Sequence, residues 1–329
     1  MKKSVSLSFG KRDLTKPNHW QRLFFNKFKI TKPTVICLGG NTTKDESDAN
    51  AMCKMAANLI GLKQQIGDEM ATYNDVDVIG VAYGHIEDAP KYSTTAVTMK
   101  EIGDLVDTLL LPLATNSRGK RLGLEKAKQN FSNVNFFLHC YGARILNEMN
   151  FDLIRKMSNI GYSSKEILEI QQQMTSVSYA PIEEVFNIPS LQAFSARDFT
   201  SMIPNNASSE FQKVYYDVFE GRREFEGNYV FQEDENTVTL FTSSMSQKPG
   251  NEHPILFVGR NEDWRYPLLC PNHADEVSQV VGYTLANAVA TGIQNQYSTE
   301  FIPKPTPQEM LQSASSILGN TQQDLGVCQ

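Results

Sequence analysis

The chain has 329 residues, with 37 acidic against 31 basic side chains, a formal charge of −6 and a pI near 5.5. A net acidic molecule excludes nucleic-acid binding as a whole-chain function, because neutralising phosphates needs a basic surface or stripe. The length suffices for one large α/β core with tails.

Residues 1–32 form a basic, aromatic arm, with Lys2, Lys3, Lys11, Arg12, Lys16, Arg22, Lys27, Lys29 and Lys32 against the lone Asp13. Trp20, Leu23, Phe24, Phe25 and Phe28 fall at roughly helical spacing. They predict an amphipathic helix, packed on the core or in peripheral contact with an anionic membrane or an acidic partner. Thr34 to Leu38 is a short strand ending in Gly39-Gly40-Asn41, and Asp45 to Leu62 follows as a helix. Val76 to Gly84 is a second buried strand. Met99 to Leu113 is the next helix, with Ile102, Leu105, Val106, Leu109 and Leu110 on one face.

The third strand, Val134 to His139, runs into Cys140-Tyr141-Gly142 and straight out into a helix over Ala143 to Met157. Ser163 to Gln173 is a helix that opens on a capping-box sequence, Ser163-Ser164-Lys165-Glu166. Thr175 to Ala180 and Leu191 to Ser195 are short strands. Asn228 to Gln232 and Thr237 to Ser243 flank an acidic turn and predict a β-hairpin insertion. Pro254 to Gly259 is a further strand, and Asp275 to Gly292 a long closing helix. Residues 298–329 are Pro-, Gln- and Ser-rich, which predicts a weakly ordered tail with one short helix at Pro307 to Ile317.

The alternation of strand and helix predicts a mostly parallel sheet covered on both faces, whose reacting groups gather at the carboxyl ends of the strands. Residues 33–297 then form the domain. The five cysteines, Cys37, Cys53, Cys140, Cys270 and Cys328, are odd in number and contain no C-x-x-C pair. They point to a reducing, cytoplasmic setting rather than to a disulfide framework or a zinc site, and delivery into another cell's cytosol is compatible with this. No apolar run approaches the ~18–20 residues of a membrane span, and no export signal is recognisable, so a soluble chain is expected.

The segment Phe137-Leu138-His139-Cys140-Tyr141-Gly142 has the form of a nucleophile elbow with cysteine at its tip. Gly142 supplies one small residue, whereas Leu138 stands where the G-x-S-x-G pattern has its first glycine. With the Gly39-Gly40-Asn41 loop before it and Asp198 and His273 after it, the order of parts resembles the α/β-hydrolase superfamily, class 3 (fungal-type) lipase branch, over roughly Thr34 to Gly292.

The resemblance implies a hydrolase or acyltransferase acting on an ester, thioester or lipid-like acyl group. Cys140 is then the nucleophile, His273 the base and Asp198 its orienting acid, while the amides of Gly40 or Asn41 and of Tyr141 form the oxyanion hole. His253 competes for the base and Asp263 for the acid. His139 takes a structural role, and no cofactor is implied. His85 with Glu87 or Asp88 is a weak metal pattern that lacks a second histidine at ligand spacing. The competing reading is a catalytically inactive scaffold of this fold serving as a binding module, with a secreted bacterial effector as one form of it.

Overall fold

The computed structural model of the protein describes residues 5–10, 20–23, 29–40, 49, 52, 53, 56, 76–83, 99–195, 212, 213, 217, 228–232, 235–242 and 274–317. Its strands are β1 (Val5–Gly10), β2 (Trp20–Leu23), β3 (Thr34–Leu38), β4 (Asp77–Tyr83), β5 (Val134–His139), β6 (Thr175–Tyr179), β7 (Ser190–Ser195), β8 (Asn228–Gln232) and β9 (Thr237–Thr242). Its helices are α1 (Met99–Leu105), α2 (Leu111–Ala114), α3 (Leu124–Phe131), α4 (Gly142–Asn159), α5 (Ser164–Gln171), α6 (Ala274–Tyr297) and α7 (Pro307–Ile317). A π-helical stretch, Val106–Leu110, joins α1 to α2. Ala49, Met52, Cys53 and Ala56 are also helical.

The strands form one sheet in the order β2-β1-β4-β3-β5-β6-β7-β9-β8. The run β4-β3-β5-β6-β7-β9 is parallel throughout. Antiparallel strands close both edges, β1 and β2 at one and β8 at the other. Alternate residues of each central strand enter opposite faces, so both faces must be covered: β3 is apolar throughout, while β5, β6 and β7 bury polar residues such as Asn135, Ser176, Ser178 and Gln192 among their apolar ones. On one face Ile36, Leu38, Phe136 and Leu138 pack with Leu105, Ile145, Leu146 and Met149. On the other, Val35, Cys37, Phe137, Val177 and Leu191 pack with Met52, Cys53, Val280, Val281 and Leu285. The expected α/β architecture is therefore present.

Three local expectations are corrected. Among its described residues the basic arm contributes two strands, and Trp20 and Leu23 of the expected helix lie in the second: Leu7 is opposite Leu23 and Val81 in the ladders. The apolar residues Val5, Leu7 and Phe9 alternate with serines, a period of two that outweighs the looser helical spacing further along. The expected hairpin does pair β8 with β9, but it is no insertion, because β9 also pairs in parallel with β7 and so belongs to the central sheet.

The described part of the tail, residues 298–317, is held to the body, and its helix spans Pro307–Ile317 as expected. Asn295 clasps Ile302 through both side-chain amide atoms at 2.7 Å. Thr306 and Glu309 form a capping box at the start of α7, which buries Met310 and Ala314. Between them the ammonium of Lys304 lies inside the protein on Asn135 Oδ1 (2.7 Å) and the Ala288 carbonyl. The helix α3 was not expected at all.

Two features of this topology place a site. The chain leaves β3 for β4 on one side and then crosses to β5 on the other, so the order reverses between β3 and β5. A crevice for ligands opens at the carboxyl ends of the strands at such a reversal. Second, α6 runs against the sheet with its carboxyl half at the amino ends of β3 and β5. Gly292 approaches the Ser132 carbonyl and Pro33, and Asn295 bonds Ser132 Oγ. The amino end of α6 therefore lies toward the carboxyl ends of these strands.

Candidate active site

Cys140 follows β5 directly and α4 begins two residues later. Its φ is +52°, the left-handed region, which a residue with a side chain enters at a cost of about 1–2 kcal/mol. Three backbone bonds hold it there. Its N–H donates to the Tyr179 carbonyl at 3.1 Å, and its own carbonyl accepts from Ala143 (3.4 Å) and Ile182 (3.3 Å). Strand β6 and the loop leaving it thus clamp the elbow from one side. That loop starts at Ala180, itself at φ +42°, and is stitched to α4 through Asn147 and Asn150, which bond the backbones of Glu184 and Phe186. Strain held by several surrounding contacts is the pattern found where a side chain must be presented in one direction. The thiol is free and partly exposed.

Strand β3 reaches the elbow from the other side. Leu38 is level with Leu138 in the ladder, so Gly40 comes level with Cys140. A Cβ on Gly40 would stand 3.1 Å from Cys140 Cβ, 3.6 Å from its Sγ and 3.4 Å from His139 Nδ1. The bare glycine backbone thus passes beside the Cys140 side chain, at a distance that a Cβ would fill. On the helix side, a Cβ on Gly142 would come within 2.1 Å of the Leu38 carbonyl oxygen, so the first turn of α4 sits on the end of β3.

These contacts explain the departure at position 138. Leu138 turns into the core under α4 and is fully buried, while the close approaches that demand glycine fall on Gly142 and, across the sheet, on Gly40. The close approaches around the Cys140 turn are thus shared between α4 and β3, and a short local motif holds no trace of the one contributed by β3.

Of the expected site residues, the structure brings together Cys140, Gly40 and Tyr141, the last being the N-cap of α4. Asn41, Asp198, His253, Asp263 and His273 lie outside the described residues, as do His85, Glu87 and Asp88 and the expected strand at 254–259. Among the described residues no cluster of three metal-ligating side chains occurs. His139 is buried and lies opposite Tyr179 in the ladder.

One acidic residue near the elbow escaped the sequence analysis. Glu183 follows Ile182, whose N–H bonds the Cys140 carbonyl. Burial pushes its carboxyl above the ordinary range, against the opposing pull of Arg144 and a hydrogen bond from Asn147 on α4. No pattern in the sequence marks it, because its surroundings arise from the loop folding back over α4.

Among the described residues no helix is long and apolar enough to cross a membrane. No known protein-family model matches the chain, and no curated protein is significantly similar to it in sequence.

Proposed function

We propose that the protein is an acyl hydrolase or acyltransferase that uses Cys140 as a nucleophile on an ester, thioester or lipid-like acyl substrate. The observation that carries this reading is the left-handed Cys140, clamped at the carboxyl end of β5 with the Gly40 backbone beside its side chain.

In the proposed reaction the thiolate attacks the carbonyl carbon and a C–S bond forms. The carbonyl oxygen, now negative, takes hydrogen bonds from the amides of Gly40 or Asn41 and of Tyr141. The amino end of the 18-residue α4 adds about half a positive charge on the same side. Collapse expels the alcohol or thiol, which takes up the proton first removed from Cys140. Water or an acceptor alcohol then releases the acyl group.

The base is assigned to His273 and its orienting acid to Asp198, with His253 and Asp263 as the competing pair. The course of α6 supports His273. From Ala288, beside the Lys304–Asn135 contact, fourteen residues of helix rise ~21 Å to Ala274, while β5 needs ~17 Å from Asn135 to Cys140. His273 immediately precedes Ala274 in sequence.

The test combines a thiol-directed activity probe with short acyl esters on wild type, Cys140→Ala, Cys140→Ser and His273→Ala. Labelling confined to Cys140 and turnover lost in Cys140→Ala and His273→Ala are expected. Absence of both labelling and turnover in every form refutes the enzyme and leaves the inactive binding module.

A further inference from the structure

We infer that His139 is a positioning residue for this chemistry: its imidazole, fixed at the end of β5, sets where the Gly39–Gly40 backbone lies over the Cys140 thiol. The inference rests on the reading of Cys140 as an acyl-accepting nucleophile.

Three observations converge on it. Gly40 has two neighbours in one corner, since the position its Cβ would occupy is 3.4 Å from His139 Nδ1 and 3.6 Å from Cys140 Sγ. The ring and the thiol therefore flank the same short piece of backbone, the piece assigned to the oxyanion. Secondly, the ring is held against movement: His139 is 1% exposed and paired across the ladder with Tyr179, which in turn stacks edge-on with Phe137 at 5.8 Å. Thirdly, the next residue is pinned through both its backbone groups, so the imidazole and the thiol spring from one fixed stretch of main chain. A loop resting on that stretch keeps a fixed distance to the sulfur. Transition-state donors work only when that distance is fixed beforehand, and a displacement near 1 Å costs on the order of a hundredfold.

The geometry makes a chemical distinction. Alkylation of Cys140 by iodoacetamide forms a C–S bond and expels iodide without building an oxyanion. Acylation by a p-nitrophenyl ester forms the C–S bond through an oxyanion and expels nitrophenolate. A residue that positions the Gly39–Gly40 backbone therefore governs the second rate and leaves the first alone. The nitrogen facing Gly40 is Nδ1, and the asparagine amide reaches that position whereas the glutamine amide reaches the position of Nε2.

The experiment measures both rates at Cys140 in wild type, His139→Asn, His139→Gln and His139→Leu, with Cys140→Ala as the blank for ester reaction elsewhere. Peptide mapping follows Cys37 and Cys53 at the same time, since both are buried and take label only if the fold opens. The expected result is a fall of roughly tenfold or more in acylation for His139→Gln and His139→Leu, alkylation within about twofold of wild type, and recovery in His139→Asn.

Equal acylation in all four proteins overturns the inference. So does a parallel fall in both rates, which marks a change in access to the thiol. Label on Cys37 and Cys53 in every variant also overturns it, since His139 then holds the fold and not the corner. A wild type that is alkylated but never acylated at Cys140 defeats the acyl-transfer reading itself.

Discussion

The seat of α4 on β3 gives the sharpest quantitative expectation. A methyl group at Gly142 would sit 2.1 Å from the Leu38 carbonyl oxygen and 2.8 Å from its carbon. Carbon–oxygen contacts settle near 3.3 Å, so the first turn of α4 and the end of β3 must separate by about 1.2 Å. The atoms met are backbone in the central ladder, which cannot rotate aside as a side chain can. Overpacking of this kind costs about 3 kcal/mol, and the gain in helix propensity on replacing glycine returns about 1 kcal/mol.

Gly142→Ala should therefore lose about 2 kcal/mol in equilibrium guanidinium unfolding at unchanged m-value. The internal control is Gly103→Ala in α1, where a Cβ meets only the Lys156 ammonium at 3.8 Å. There the same substitution should stabilise by about 0.5–1 kcal/mol. The two glycines thus predict opposite signs. A Gly142→Ala protein within about 0.5 kcal/mol of wild type would refute the docking of α4 on Leu38, and with it the geometry of the elbow.

Cys140→Gly should be more stable than Cys140→Ala by about 0.5–1 kcal/mol, because glycine adopts a φ of +52° without steric cost; equal stabilities in denaturant would remove the case for strain. Burial pushes the Lys304 ammonium well below its ordinary value, so the unfolded chain binds this proton where the folded one does not. Stability should then rise with pH between the depressed value and the 10.5 of a free lysine, by up to about 1.4 kcal/mol per unit, and Lys304→Met should flatten that slope. Parallel pH profiles for the two proteins would contradict the assignment.

Glu166 is held at about 2 by the Ser163 backbone, the Arg121 guanidinium and the Ser163 hydroxyl. Its contribution is present above pH 4.5 and lost as the pH falls toward 2, so Glu166→Gln should be less stable than wild type at neutral pH and converge with it in acid. Ser163→Ala, which breaks the same capping box, should cost about 1 kcal/mol at pH 7 in the same unfolding assay.

Much of the architecture was written in local pattern. Strand β3 matches its apolar run, α7 its predicted span, and α5 its capping box, with Ser163 and Glu166 bonded to each other's backbone. These elements follow from nearest-neighbour chemistry: periodicity selects the element and polar side chains satisfy its ends. The strand, turn and helix around Cys140 were legible for the same reason, since an apolar strand, a turn with Gly142 and an amphipathic stretch stand side by side in the chain.

What only the tertiary structure decided depends on residues far apart in sequence. The arm became edge strands because β4 offered a partner. β9 joined the central sheet because β7 lay open beside it. Residues 298–317 pack on the body because Asn295, Asn135 and Ala288 supply partners to a segment that its composition alone describes as loose. The site shows the same division. The local sequence puts Cys140 between an apolar strand and a helix, but the contact between Gly40 and the pair His139 and Cys140 exists only because β3 and β5, a hundred residues apart, run parallel and in register. Close approach across a sheet leaves no mark in a local motif, because the glycine it demands sits on the neighbouring strand.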